Sequence, residues 1–175
     1  MKKNLLTSIV CLVMSLSIFA DSRMPLETVE YVNLQKYKGQ WYEIARLPQW
    51  FQRKCLATRA TYTLREDGNV TVFNECKLKS GKIKDAKGLA KIVDSKSFSK
   101  LKVSFDPFRL FYGPYWILGL AQDYSWALVG SPDRSSLWIL SRTPEISVDT
   151  ENFIKNKAID LGFDVSKMID TPTWK

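Results

Sequence analysis

Apolar and polar side chains alternate along eight short stretches of the chain, as they do in half-buried β-strands. Asp-Gly, Ser-Gly and Asp-Ser pairs, which favour turns, separate the stretches in the first half of the chain. The predicted strands are 41–46, 58–65, 69–78, 86–93, 100–106, 115–120, 124–130 and 137–142. Eight consecutive antiparallel strands can close into an up-and-down barrel, which leaves no unpaired edge. The pattern therefore predicts an all-β fold built as an eight-stranded antiparallel up-and-down β-barrel.

A different periodicity follows the last predicted strand. Thr143 and Pro144 end that strand, and residues 147–161 carry an apolar stripe at helical spacing before Gly162 stops the pattern. The stripe consists of Val148, Phe153, Ile154, Ala158 and Leu161. Because strand side chains already line the barrel interior, this single C-terminal α-helix is predicted to pack outside the barrel.

The start of the chain has the pattern of a secretory signal. Lys2 and Lys3 precede an apolar run over 5–19, and a small residue, Ala20, closes it. We expect a signal peptide over 1–20, an N-terminal arm over 21–33 and one folded domain over 34–175. Cys11 lies inside the apolar run and follows Val10, so a lipid anchor on a cysteine after the cleavage point is not expected.

Charge and composition narrow the function further. Without residues 1–20 the chain has 24 basic and 18 acidic residues, a formal charge of +6. The basic residues are spread out and form no nucleic-acid motif, so contact with an anionic membrane surface is the expected use of this charge. The sequence contains no histidine, which excludes Ser-His-Asp and Cys-His nucleophile systems and the common zinc sites. We expect no catalytic residue, cofactor or metal.

Two cysteines, Cys55 and Cys76, remain in the predicted exported chain, and an even pair in an exported protein favours a disulfide. A hairpin that pairs Tyr62 with Val72 places Thr58 opposite Cys76, within reach of Cys55. Two buried free thiols are the alternative.

Three segments carry a more specific signal: 39–46 (GQWYEIAR), 123–129 (DYSWALV) and 137–144 (LWILSRTP). Their order and spacing resemble the lipocalins, most closely the bacterial and apolipoprotein-D-like branch. The residues that carry the resemblance are Gly39, Trp41, Asp123, Tyr124 and Arg142. It implies a barrel that holds a small hydrophobic ligand, with Arg142 packed on Trp41 at the closed end.

Side-chain alternation then predicts which residues face the interior. Carrying the parity of Arg142 through the hairpins places Trp126 and Gly130 inward and predicts that the ligand contacts Ala60, Tyr62, Asn74, Ala90, Trp116, Leu118, Leu128, Trp138 and Leu140. Small residues such as Gly88 among the inward positions favour a cavity, while a solid core is the alternative.

The loops predicted at the mouth combine aromatic and cationic side chains. An apolar rim with cations nearby would suit a ligand with a phosphate or carboxylate head, although cations also serve solubility alone. The predicted mouth or lid residues are Trp50, Phe51, Arg53, Phe108, Arg109 and Tyr112.

The expected function is transport of a fatty acid or lysophospholipid in envelope lipid storage, transport or repair. The alternatives are a carrier of haem, another tetrapyrrole or a different small hydrophobic molecule and, third, an enzyme acting on a bound lipid. The resemblance implies that such an enzyme would use a cysteine thiol in the cavity. The predicted disulfide between Cys55 and Cys76 would leave no free thiol there. The predicted signal peptide implies export, and we expect the protein in the periplasm. Both outer-membrane association and a homodimer stay open.

Overall fold

The computed structural model describes residues 25–174, so the predicted signal peptide and the first residues of the arm lie outside the described residues. A short helix, α1 (Leu34–Tyr37), precedes the first strand. The strands are β1 (Gly39–Arg46), β2 (Cys55–Leu64), β3 (Val70–Leu78), β4 (Ile83–Ile92), β5 (Lys100–Ser104), β6 (Gly113–Leu120), β7 (Trp126–Gly130), β8 (Leu137–Ser141) and β9 (Ile169–Asp170). The second helix, α2 (Val148–Asp160), lies between β8 and β9.

Strands β1 to β8 close into the predicted antiparallel barrel. Each strand pairs with the next along the chain, and β1 closes the ring by pairing with both β8 and β2. The short β9 lies outside this ring and pairs with β1 through Ala45–Asp170 and Arg46–Ile169. Within residues 25–174 the structure contains no helix that could cross a bilayer.

The two ends of the barrel differ. At one end the N-terminal arm and α1 pack under the barrel, where Val32 and Tyr37 are buried in the inner core. The side chain of Asn33 caps α1 by accepting hydrogen bonds from the backbone N–H groups of Gln35 and Lys36. The opposite, open end is formed by the loops 47–54, 79–82, 105–112 and 131–136.

Helix α2 packs outside the barrel, as predicted, and lies on the outer face of β6 to β8. Ser147 caps its first turn, and Ile154 and Ala158 are buried against an outer core that includes Leu118 and Leu128. The buried stripe is narrower than predicted, because Val148 and Phe153 are 73% and 60% exposed.

Strand boundaries differ from the predicted ones mainly at the open end. β2 begins at Cys55 and β4 at Ile83, three residues earlier than predicted, so the β2–β4 meander extends further. β5 ends at Ser104, because Asp106 turns the chain by accepting backbone hydrogen bonds from Phe108 and Leu110. The sequence pattern did not predict α1 or β9.

Candidate ligand-binding site

The closed end is built on the contact between Trp41 and Arg142. The guanidinium carbon of Arg142 lies 3.9 Å from the centroid of the Trp41 ring, which confirms the predicted cation–π contact. Arg142 also donates hydrogen bonds to the carbonyl oxygens of Gln40 at 2.9 Å, Lys36 at 2.6 Å and Tyr37 at 3.1 Å. One side chain therefore ties α1, β1 and β8 together beneath the interior.

Gly39 is required by this arrangement. Its φ angle is +100°, a conformation that L residues rarely adopt, and a Cβ there would lie 3.2 Å from Arg142 Nη1. The other motif residues shape the β6–β7 turn. Hydrogen bonds from the side chain and from the backbone N–H of Ser125 lower the pKa of the Asp123 carboxyl group. The Tyr124 hydroxyl accepts the backbone N–H of Asn33.

Three tyrosine hydroxyl groups form a chain above this floor. The Tyr37 and Tyr115 hydroxyl oxygens are 2.7 Å apart, and Tyr115 donates to the Tyr62 hydroxyl at 2.9 Å. Burial raises the pKa of Tyr62 to about 12 and those of Tyr37 and Tyr115 well above the ordinary value. The aromatic side chains and their hydroxyl pairs fill the lower interior.

The inner wall above the tyrosines has smaller side chains. Ala60 and Asn74 face each other across β2 and β3, and both are half-buried although their side chains point inward. Trp138, on β8, is also half-buried and packs against the inner core. The Asn74 Oδ1 atom is buried without a hydrogen-bond partner among the described residues. The side chains of Ala60, Asn74 and Trp138 are thus less tightly enclosed than those of Trp41 and Tyr62.

A buried polar cluster lies on this wall, where β1 and β2 separate. The Glu43 carboxylate accepts hydrogen bonds from Arg46 Nη1, Thr58 and Thr171 at 2.6 Å each and from Gln52 at 2.8 Å. All four bonds are charge-assisted, which makes them stronger than neutral ones. The Gln52 side chain also accepts the indole N–H of Trp138, so the cluster fixes the β1–β2 loop to the wall.

The predicted inward placement is confirmed for Ala60, Tyr62, Asn74, Ala90, Trp138 and Leu140. It is wrong for Trp116, Leu118 and Leu128, which belong to the outer core beneath α2. The cause is the register of β7 and β8. Leu128 pairs with Ile139 and Gly130 with Leu137, and paired residues share a face, so Trp126, Leu128 and Gly130 face outward. Trp126 accordingly contacts Phe153 of α2 on the outside of the barrel.

The residues that replace them inside are Tyr115, Ile117, Ala127 and Val129, which sequence reasoning missed. A β-bulge between Ile117 and Gly119 then returns Leu120 to the inner face. Gly119 was the available signal, because a glycine within a strand often marks a bulge or a close approach. Here a Cβ would lie 3.0 Å from the Lys157 side chain of α2.

The predicted mouth residues lie on the loops of the open end. Trp50 and Phe51 form a short 3₁₀ turn with an edge-to-face ring contact of 5.7 Å, and both are exposed. Phe108 and Arg109 are exposed on the β5–β6 loop. Tyr112 differs, because its ring lies 5.3 Å from the ammonium groups of Lys91 and Lys102.

Lys91 and Lys102 pair with each other on the face opposite to Ala90, which points inward. Tyr112 therefore lies against the outer wall and does not line the lumen. Arg53 is exposed and borders a surface depression of about 610 Å³, which Lys54, Cys55 and Ile169 also line.

The predicted disulfide between Cys55 and Cys76 is present, with Cα atoms 5.3 Å apart. The predicted hairpin register is also confirmed, since Tyr62 pairs with Val72 and Thr58 with Cys76. A bulge between Cys55 and Ala57 within β2 brings the two cysteines together, so no separate loop has to fold back.

These features define a class: a closed eight-stranded barrel with an apolar interior, sealed at one end by an Arg–Trp contact and rimmed by loops at the other. Residues 32–173 match the family described as lipocalin-like domain. The chain belongs to the lipocalin family, and relatives in both the bacterial and the apolipoprotein D branch confirm the resemblance seen in the sequence. Members of this family typically bind small hydrophobic molecules and are not typically enzymes.

Curated relatives match over most of their own length. Temperature-induced lipocalin-1 of Arabidopsis thaliana is 44% identical over 84% of this chain and 82% of its own. The outer membrane lipoprotein Blc of Escherichia coli K12 is 40% identical over 88% of each chain. Apolipoprotein D of Mus musculus is 35% identical over 81% of this chain and 77% of its own. Among solved structures, insecticyanin of the tobacco hornworm Manduca sexta has the same fold, with a TM-score of 0.70 at 21% identity over 86% and 85% of the two chains.

Residues 25–174 contain no cluster of acidic or cysteine side chains that could hold a metal ion. The polar groups on the inner wall are hydroxyl groups, one amide and the Glu43 cluster.

Proposed function

We propose that the protein carries a single-chain lipid, a fatty acid or a lysophospholipid, with its acyl chain inside the barrel. The observation that carries this proposal is a contrast among the inward side chains. Trp41 and Tyr62 are buried, whereas the side chains of Ala60, Asn74 and Trp138 are only half-buried. A closed barrel with an apolar interior suits a linear chain, because each buried methylene contributes about 0.8 kcal/mol.

The head group would then lie at the opening. Arg53, Lys54 and Arg109 are exposed there, and cations attract a carboxylate or phosphate. The name of the bacterial relative, an outer membrane lipoprotein, supports a role in the bacterial envelope. We place the protein in the periplasm after export, where lipid storage, transport or repair would need such a carrier.

The direct test is to extract the purified protein and identify the bound molecule by mass spectrometry, followed by titration of the delipidated protein with oleic acid and lysophosphatidylcholine. We expect an acyl lipid in the extract and saturable binding in the titration. A tetrapyrrole in the extract, or unchanged tryptophan fluorescence throughout the titration, would contradict the proposal.

A matched pair of variants locates the site. Ala60→Phe adds a ring inside the lumen, whereas Thr61→Phe adds the same ring on the outer face of the same strand. We expect Ala60→Phe to weaken binding of oleic acid at least tenfold and Thr61→Phe to leave it unchanged, with circular dichroism confirming that both variants fold. Equal affinities in the two variants would place the lipid outside the lumen.

A further inference from the structure

Five large apolar side chains are exposed on two loops at the open end. Trp50 and Phe51 on the β1–β2 loop are 80% and 56% exposed, and Phe108, Leu110 and Phe111 on the β5–β6 loop are between 71% and 79% exposed. Both loops belong to the same end of the barrel, because β1 and β5 run in the same direction and end there. Clusters of exposed apolar side chains on soluble proteins mark interaction surfaces.

Hydrogen bonds hold the β5–β6 loop in the conformation that exposes these side chains. The Asp106 carboxylate accepts the backbone N–H groups of Phe108 at 3.2 Å and Leu110 at 2.7 Å. The backbone N–H of Arg109 donates to the Asp106 carbonyl oxygen at 3.0 Å. The turn is therefore built locally and leaves its apolar side chains largely exposed to solvent.

The β1–β2 loop is fixed from both sides. Gln49 donates from its side chain to the Ser135 carbonyl oxygen, and Gln52 binds both Glu43 and Trp138. Between these two anchors the chain presents Trp50 and Phe51 to solvent. A preformed apolar surface loses little conformational freedom when it meets a partner.

The charge at this end indicates the kind of partner. The four open-end loops carry six basic residues against two acidic ones: Arg53, Lys54, Lys79, Lys82, Arg109 and Arg134 against Asp106 and Asp133. The three hairpin loops at the closed end, 65–69, 93–99 and 121–125, carry two basic residues against four acidic ones: Arg65 and Lys96 against Glu66, Asp67, Asp94 and Asp123. This difference in charge between the two ends would orient the open end toward a negatively charged surface.

We propose that the open end docks on an anionic phospholipid bilayer. Trp50, Phe51, Phe108 and Phe111 enter the region between head groups and acyl chains, where amphipathic and apolar rings are favoured, and Arg53 and Lys54 contact the anionic head groups. Apolar burial and charge attraction act together in this mode of surface binding. Insofar as the protein carries a lipid, as proposed above, docking also lets the ligand pass between bilayer and lumen without crossing bulk water.

The test is co-sedimentation of the purified protein with vesicles of phosphatidylcholine alone and of phosphatidylcholine with phosphatidylglycerol. We expect binding to the anionic vesicles at low salt and weaker binding to the neutral ones. The pairs Trp50→Ser with Phe51→Ser and Phe108→Ser with Phe111→Ser should each weaken binding at least about tenfold. Arg53→Glu with Lys54→Glu should weaken it by more than about tenfold at low salt, with a smaller effect at high salt.

Matched controls separate docking from general stickiness and net charge. Val148→Ser with Phe153→Ser removes exposed apolar area from the side of the barrel, and Lys87→Glu with Lys96→Glu makes the same charge change away from the open end. Both control pairs should bind vesicles as the unmodified protein does. Equal losses in the loop pairs and the control pairs would overturn the proposal.

Two further results would also overturn it. One is failure of the unmodified protein to bind anionic vesicles, and the other is concentration-dependent dimerisation through these loops without vesicle binding, which would assign the surface to a second copy.

Brominated lipids should quench the tryptophan fluorescence of the bound protein, and Trp50→Phe should reduce this quenching. Titration of oleic acid without vesicles tests the carrier function separately, so either proposal can fail alone.

Discussion

Arg142 connects three segments at the closed end of the barrel. Its guanidinium group donates to carbonyl oxygens of α1 and β1 while stacking on Trp41. These groups are fixed by the backbone, so the planar fork of an arginine matches them and a lysine ammonium would not. The Arg142 side chain therefore stabilises the closed end, and other residues line the barrel interior.

Arg142→Lys should therefore lower the free energy of unfolding by about 2 kcal/mol, because it keeps the charge but loses the fork and part of the cation–π contact. Urea unfolding followed by circular dichroism measures the change. Arg65→Lys is the matched control, since Arg65 lies in an exposed turn. Similar small effects of both substitutions would show that the charge alone maintains the floor.

The buried tyrosines predict a loss of stability in strong alkali. In the folded state the pKa of Tyr62 is raised to about 12 by burial, whereas in the unfolded chain it is about 10. The unfolded state then loses its proton first, so the stabilisation is complete below pH 10 and falls as the pH rises toward 12. Tyr62 alone should lower the free energy of unfolding by about 2 to 3 kcal/mol between pH 10 and about 12.

Urea unfolding at a series of pH values from 8 to about 12 tests this. Tyr62→Phe should flatten the alkaline part of the curve, because phenylalanine has no proton to lose. Tyr31→Phe, at an exposed position, should leave it unchanged. An unaltered slope in Tyr62→Phe would contradict the assignment.

At the scale of strands, the sequence predicted the β2–β3 hairpin correctly in register, since Asp67 and Gly68 mark one short turn. It predicted the strands β6 to β8 but not which face each residue occupies. A one-residue error across the loop 131–136 exchanges inside and outside, and apolar residues occupy both faces of these strands because α2 covers the outer one. Alternation therefore cannot tell the inner from the outer face there until the position of the helix is known.

The sequence also did not predict the Glu43 cluster. Its members come from segments that are distant in the sequence, so no local pattern brings them together.

The corrected faces lead to a prediction for ligand binding. Trp138 is on the inner face, whereas Trp116 is on the outer face with the Lys100 ammonium 4.6 Å from its ring centroid. The fluorescence change on titration with oleic acid should be lost largely in Trp138→Phe and kept in Trp116→Phe. The reverse result would contradict the inner-face assignment, and binding measured by mass spectrometry checks that both variants still take up the ligand.

For the molecule as a whole, the C-terminal segment completes the wall where two strands part. β1 pairs with β2 only from Gly39 to Tyr42, and beyond that point β9 pairs with β1 instead. The Thr171 hydroxyl reaches the buried Glu43 carboxylate, and the Trp174 ring lies 4.5 Å from the Arg59 guanidinium. Residues far apart in sequence thus hold the opening in shape around the β1–β2 loop.

Thr171→Val should reveal how much the barrel depends on this closure. The substitution keeps the shape of the side chain but removes one of four donors from a carboxylate that is 5% exposed, and a hydrogen bond to a charged group contributes about 1.5 to 3 kcal/mol. We expect the free energy of unfolding to fall by about that amount. Thr173→Val is the control, because Thr173 donates to the exposed Glu145 and should cost less than about 0.5 kcal/mol. Hydrogen exchange at the backbone amides of Ala45 and Arg46 should be faster in Thr171→Val alone, because the Thr171–Glu43 hydrogen bond holds β9 next to these residues. Equal exchange in both variants would mean that β9 pairs with β1 without this hydrogen bond.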